Sequence, residues 1–309
     1  MRRANLHGPV LFNEVLSLLQ ITSGKNYLDL TFGMGGHSQG ILQHGAESLL
    51  AIDRDPSAIE EYQRSPLLFS EKRLQVVRGK FSQLSRIVNG KKFHGILMDL
   101  GLSSKQLLSP GRGFSFHSTG PLDMRIDRSQ GETLEDILNR VTRADLEKEL
   151  YRNTGNPKSR LWAKRIMEAL HAGRLKNCED LVGLFQLKVR HSRIQPSTIV
   201  LMGLRMMVNG ELREIETAVP QAVEALQPGG RLIILSFHSV EDRLVKRLLR
   251  QAAGLCICGK DPLFCRCCRV QLVKFVNRKA IFPSSLERIE NPRSRSAKLR
   301  CVEKLSSGG

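Results

Sequence analysis

Four short apolar runs mark the first hundred residues: NYLDLTF (26–32), SLLAIDR (48–54), RLQVVRG (73–79) and FHGILMDL (93–100). Each is bounded by Gly, Asp or Ser, as buried strands are. Between them, SQGILQHG, PSAIEEYQR and SQLSRIVNG suit helices, and Pro56 fits a first helical turn. This strand–helix alternation predicts a parallel, doubly wound sheet. Ahead of it, MRRANLHGPVLFNEVLSLL reads as a helix rather than a signal peptide, because Asn13 and Glu14 interrupt its apolar part.

The alternation stops near residue 109. Up to about 199 the chain holds a Gly-, Pro- and Ser-rich stretch, SPGRGFSFHSTGPLDMRID, then helical runs such as TLEDILNRV and LWAKRIMEALHAG. It resumes with one long helix, LMGLRMMVNGELREIETAVPQAVEAL, the turn Pro228-Gly229-Gly230 and the strand RLIILSF. We therefore expect one discontinuous α/β domain, 1–108 and 200–309, interrupted by a helical insertion at 109–199. After the last strand, SVEDRLVKRLLR puts Val240, Leu244, Val245, Leu248 and Leu249 on one helix face. Arg243, Lys246, Arg247 and Arg250 lie away from that face, and Ser239 with Asp242 fits a capping box.

Charge adds a partner. The formal net charge is +18, and from Cys256 onward there are 12 Lys and Arg against 4 Asp and Glu. A polyanion, most simply nucleic acid, fits that balance. Aromatics make up only 5%, so a broad base-stacking platform is not expected. No run of 18 apolar residues offers a membrane span. Seven cysteines without a secretory signal point to a reducing cytoplasm.

The stretch LDLTFGMGGHSQGIL (28–42) is a glycine-rich strand-to-helix turn, where a ligand can approach the backbone closely. A triphosphate loop would end in Gly-Lys-Ser/Thr; here Gly35 and Gly36 are followed by His37 and Ser38. Asp53 ends the next strand about 20 residues on, where a carboxylate can bond ribose hydroxyls. Asp29, just before the loop, would oppose a pyrophosphate and would suit a cofactor with a positive sulfonium and an amino group, such as S-adenosyl-L-methionine. It could equally be a structural acid bonded to backbone amides.

HGPVLFNEVL, DLTFGMGGHS, AIDRDP, ILMDLGLSSKQL, RGFSF, GPLDMRID, LRMMVNGEL, PGGRLIILSFHSVEDRLVKR and NPRSRSAKLR run from His7 to Arg300. Together they resemble the ribosomal small-subunit RNA cytosine-N4 methyltransferases (RsmH, also called MraW). The resemblance implies a class I methyltransferase fold, S-adenosyl-L-methionine as methyl donor and a helical insertion on the RNA side. It implies a cytosine in the decoding region of 16S rRNA, in the small ribosomal subunit, as acceptor. By motif position it implies cofactor contacts from Gly35, Gly36, His37, Asp53, Phe81, Asp99 and Gln106. The chain departs from the family pattern at Gln195–Gly203 and near Tyr151, in YRNTGNPKSR.

For the chemistry, Asp99 at the fourth strand's end could accept from the target amine, and Ser103 could orient it. His238 follows a strand expected beside the fourth and could orient substrate or take a proton. Asn209 could bond the base or satisfy buried backbone. Phe114 and Phe116 could stack a flipped base or anchor the insertion. Arg112 and Arg125 are the cations of the same stretch, and Arg293, Arg295 and Arg300 those of the tail that could meet RNA phosphates. Cys256, Cys258, Cys265 and Cys267 form CxC…CxC, whose four thiolates could hold tetrahedral zinc or remain reduced thiols in a loop. A non-catalytic RNA-binding assembly factor on the same fold is the first alternative, and a nicotinamide-dependent enzyme the second. Oligomeric state stays open, a homodimer included.

Overall fold

The computed structural model describes residues 8–66, 70–102, 106, 111–114, 120–185, 195–258, 265 and 270–306. The chain divides into two compact units, one of residues 1–101 and 214–309, the other of residues 102–213.

In the first unit, α1 (Phe12–Leu19), β1 (Asn26–Asp29), α2 (Gly36–Gln43), β2 (Ser48–Asp53), α3 (Pro56–Arg64), β3 (Leu74–Arg78), α4 (Leu84–Val88) and β4 (Phe93–Asp99) follow in order. Pro56 is the first helical residue of α3, whose cap Asp55 accepts from Ser57 N at 2.9 Å. The second unit supplies α5 (Leu134–Arg140), α6 (Arg143–Thr154), α7 (Ser159–His171), α8 (Cys178–Gly183) and α9 (Pro196–Asn209). The chain then continues through α10 (Glu211–Glu224), β5 (Leu226–Ser236), α11 (Ser239–Ala252), β6 (Val273–Phe275), α12 (Ser285–Glu290) and β7 (Lys298–Lys304).

The seven strands lie in the order β3-β2-β1-β4-β5-β7-β6. β1 to β5 are parallel, and β7 is antiparallel to both β5 and β6. This is the expected doubly wound, class I methyltransferase sheet. The order reverses between β1 and β4, so the ligand crevice belongs at the carboxyl ends of those strands. Tyr27, Leu49, Leu97, Ile233 and Leu299 from the sheet bury against Leu11, Val15 and Ile41. Nearly continuous apolar runs in β1, β4 and β5 match a sheet covered on both faces.

Three expectations change. The long helix beginning at Leu201 is two helices, because Gly210 takes a left-handed φ of 61° and ends α9. The turn Pro228-Gly229-Gly230 lies inside β5, at a register shift opposite Phe93 and Gly95. Gly230 has no room for a side chain there: a Cβ would lie 2.9 Å from the carbonyl oxygens of Gln227 and Phe93. The helical unit also reaches past the 109–199 span to residue 213. Val200, Leu201 and Leu204 of α9 sit in its core with Leu146, Leu150, Trp162 and Phe185.

Candidate functional site

Asp29, Asp53 and Asp99 end β1, β2 and β4, three neighbouring strands at the switch point. Each is placed by its loop. Asp53 Oδ2 accepts from Gly33 N at 2.7 Å and its Oδ1 from Asp55 N at 2.8 Å. Asp29 Oδ1 accepts from Thr31 N at 3.0 Å, and its Oδ2 from Ser38 Oγ at 2.7 Å. Thr31 Oγ1 in turn accepts from Asp99 N at 2.8 Å. Asp29 thus draws β1, the glycine loop and α2 together.

The loop itself needs glycine. Gly33 and Gly35 have φ of 54° and 75°, and a Cβ on Gly36 would lie 2.6 Å from Pro9 Cγ. His37, in the first turn of α2, is buried and stacks on Phe12 with ring centroids 5.9 Å apart. Its Nε2 lies 3.7 Å from Asp99 Oδ2. Neither ring nitrogen has a hydrogen-bond partner, and neither does Asp99 Oδ1.

Burial drives the electrostatics. It pushes Asp99 up to about 8, helped by the charges of Asp29 and Glu241. It pushes Asp53 up to about 6 against the bonds from Asp55 and Gly33. It raises Asp29 too, against the bonds from Ser38 and Thr31. Burial lowers His37 to about 4. At neutral pH His37 is therefore uncharged and Asp99 mostly protonated, so their 3.7 Å approach is not an ion pair. Among the described residues, no Lys or Arg pairs with any of the three aspartates. Clustered acids with no cation paired to them among the described residues, beside orphaned buried polar atoms, fit a ligand that is both cationic and hydrogen-bonding. Phe81 begins the 3-10 turn after β3 and is half-buried. Gln106 is buried in the second unit.

Other candidates are held in protein structure. His238 caps α11: its Nδ1 accepts from Glu241 N at 3.3 Å, and its Nε2 lies 3.0 Å from Glu241 Oε1. Glu241 reaches back to accept from Phe237 N at 2.9 Å. The cap is thus His238 with Glu241 rather than Ser239 with Asp242, one residue earlier than the sequence pattern predicts. Asn209 satisfies buried backbone. Its Oδ1 accepts from Ile126 N, and its Nδ2 donates to Met124 O and Arg205 O, all at 2.7–2.8 Å. It holds the GPLDMRID loop, in which Met124 has a φ of 57°.

Arg125 is not an open cation either, since its fork closes on Asp123, which also takes Arg128. Arg112 donates to Ile126 O, and Phe114 packs on the helical core as an anchor. Arg300 is corrected most sharply. It is buried in β7, with Nε 2.7 Å from Asp242 Oδ1, beside Lys298 on the same acid. Arg293 is half-buried and Arg295 exposed in the 3-10 turn Pro292–Ser296. Ser103, Phe116 and Cys267 lie outside the described residues. Cys256, Cys258 and Cys265 bring their sulfurs within 3.4–3.7 Å of one another.

Sequence reasoning did not single out Thr31, Ser38 or Glu241. A buried carboxylate at a strand end needs donors close by, and Thr31 and Ser38 are the hydroxyls flanking the loop. Glu241 carries the signature of the third helical residue after a cap.

The chain matches the family model described as the MraW methylase family over residues 4–305. It is 38% identical over 310 residues to the ribosomal RNA small subunit methyltransferase H of Thermomicrobium roseum, covering 98% of this chain and 95% of that protein. The protein of the same name from Dehalococcoides mccartyi is 39% identical, with 98% and 88% covered. The one from Desulfosudis oleivorans is 37% identical, with 97% and 99% covered. A solved rRNA methylase from Streptococcus thermophilus aligns over 96% of this chain and 94% of its own at 10% identity and a TM-score of 0.43, too distant to bear on function.

Proposed function

The chain belongs to the MraW methylase family, and we propose that it moves a methyl group from S-adenosyl-L-methionine to the N4 amine of a cytosine in the decoding region of 16S rRNA. The observation that carries this reading is the acid cluster at the switch point, where Asp29, Asp53 and Asp99 end neighbouring strands without a cationic partner among the described residues. A dinucleotide or triphosphate would bring negative charge to these acids. A sulfonium with an amino group brings the missing positive charge.

In this reading Asp53 keeps one lone pair of each oxygen for ribose hydroxyls, after its bonds to Gly33 and Asp55. Gly35, Gly36 and the start of α2 let the ligand lie close to the backbone. Phe81 covers the adenine. When bound, S-adenosyl-L-methionine supplies an electrophilic methyl group whose sulfur leaves as a neutral thioether.

Cytosine N4 is a poor nucleophile because its lone pair is delocalised into the ring. Asp99, half-buried and with no protein partner on its Oδ1, accepts one N4 hydrogen when ionised and favours the pyramidal nitrogen. The proton lost from nitrogen passes to Asp99 in its ionised form, which the positive sulfonium of the bound cofactor favours over the protonated form that predominates without it. His37 stays neutral, with its Nε2 3.7 Å from Asp99 Oδ2. The substrate class is RNA on the strength of the family, and of the net charge of +18.

The test is mapping of N4-methylcytosine in small-subunit RNA from cells with and without this gene, followed by transfer with purified protein and unmethylated subunits. One position should lose its N4-methyl group in the deleted strain and regain it in vitro. Asp99→Ala should lower turnover by about 10²-fold or more. Wild-type turnover by that variant, at unchanged cofactor affinity, would remove Asp99 from the chemistry.

A further inference from the structure

The geometry points to a structural zinc site in the segment between α11 and β6, with Cys256, Cys258 and Cys265 as thiolate ligands. α11 ends at Ala252, and Leu272 N donates to Ala252 O at 2.8 Å, while Ala253 bridges Gln271. The chain therefore leaves the sheet domain after Ala253 and meets it again at Gln271, at one point. Segments of that length need something to order them.

Among the described residues of this segment, no apolar core does so. Leu255, Ile257 and Val270 are exposed, Cys258 is exposed, and Cys256 and Cys265 are half-buried. Yet the three sulfurs stand at 3.4 Å (Cys256–Cys258), 3.5 Å (Cys256–Cys265) and 3.7 Å (Cys258–Cys265). These separations are well beyond a sulfur–sulfur bond of about 2.05 Å. They approach the spacing of about 3.8 Å that thiolates have around one tetrahedral ion with metal–sulfur bonds of about 2.3 Å. Thiolates on separate irons of a cluster would stand farther apart, so a single ion fits better than an iron–sulfur cluster. An all-thiolate donor set selects a soft or borderline ion, and zinc is the redox-inert choice.

Binding of the divalent ion releases the thiol protons and makes three or four sulfur–metal bonds, with no change of oxidation state. The ion then takes the place of a core for this segment, as it does in small metal-stapled modules.

The test is metal analysis of the full-length protein, purified without chelator and without added metal. About one equivalent of zinc is expected, and less than about half an equivalent on reduced protein overturns the site. Iron in place of zinc also overturns it. In Cys256→Ser/Cys258→Ser/Cys265→Ser the zinc should be lost; zinc retained there places the metal elsewhere and rejects these ligands. Should that variant fail to fold, cobalt(II) exchanged into the wild-type protein decides. Thiolate-to-cobalt charge-transfer bands with intense visible bands are the signature of a tetrahedral sulfur site, and their absence rejects it. The three thiols should also resist alkylation until a chelator is added, and immediate alkylation counts against the site.

Discussion

Asp99 is where the crevice can be tested at the level of one residue. Its folded pKa of about 8 lies above the ordinary 3.8, so its contribution to stability is full below about pH 4. That contribution is lost as pH rises towards 8. Asp99→Asn cannot ionise, so the wild type should lose stability relative to it across this window. Thermal midpoints of the two proteins at pH 5, 6, 7 and 8 check the sign, and parallel curves would contradict it. His37 acts in the opposite direction below about pH 6.5, but it is present in both proteins and cancels in the comparison. Adding S-adenosyl-L-methionine should shrink the difference, because a nearby cation favours the ionised acid. The sequence made the acids of this crevice legible, because Asp29, Asp53 and Asp99 all sit at ends of apolar runs. It did not make their division of labour legible. Whether Asp29 faces a ligand or ties a loop depends on where the hydroxyls of Thr31 and Ser38 fall in space.

At the scale of elements, α11 carries the sharpest revision. A histidine at the end of β5 reads as a catalytic candidate from its position alone, but in the structure it caps the helix. His238→Ala should lower stability by about 1 kcal/mol, and His238→Asn should restore most of it, since asparagine caps well. Turnover of the asparagine variant should stay within a few-fold of wild type. A loss of about 10²-fold or more in both variants would return His238 to the chemistry. The strands and short helices were readable because each is a compact apolar period between turn residues. Two boundaries were not. Gly210 lies within a pattern that is helical on both sides, and only its left-handed φ marks the break. The helical unit extends to residue 213 because α9 buries Val200, Leu201 and Leu204 among α6 and α7, a tertiary choice that periodicity cannot make.

At the scale of the whole molecule, the charge of +18 is not a uniform coat. Arg125, Arg205, Arg231 and Arg300 are held by internal acids, with Arg300 sealed against Asp242. The Asp242 carboxyl, which burial alone would raise, is held below its ordinary range by the bonds from Arg300 and Lys298. What remains for RNA on the sheet domain includes the exposed Arg243 and Lys246 of α11 and Arg295 after α12. Each phosphate contact adds about 0.7 to 0.9 to the slope of log affinity against log salt. Titrations of small-subunit RNA at several salt concentrations should therefore separate the two classes of arginine. Arg295→Gln should flatten the slope by close to that increment, and further flattening should follow when Arg243 and Lys246 are also neutralised. Arg300→Gln should leave the slope unchanged and instead lower the thermal midpoint, because it leaves Asp242 short of its buried partner. An Arg300 variant with normal stability and a flattened slope would mean that this arginine turns outward in the RNA complex. The strand-to-helix tie between β7 and α11 would then be a feature of the free protein alone.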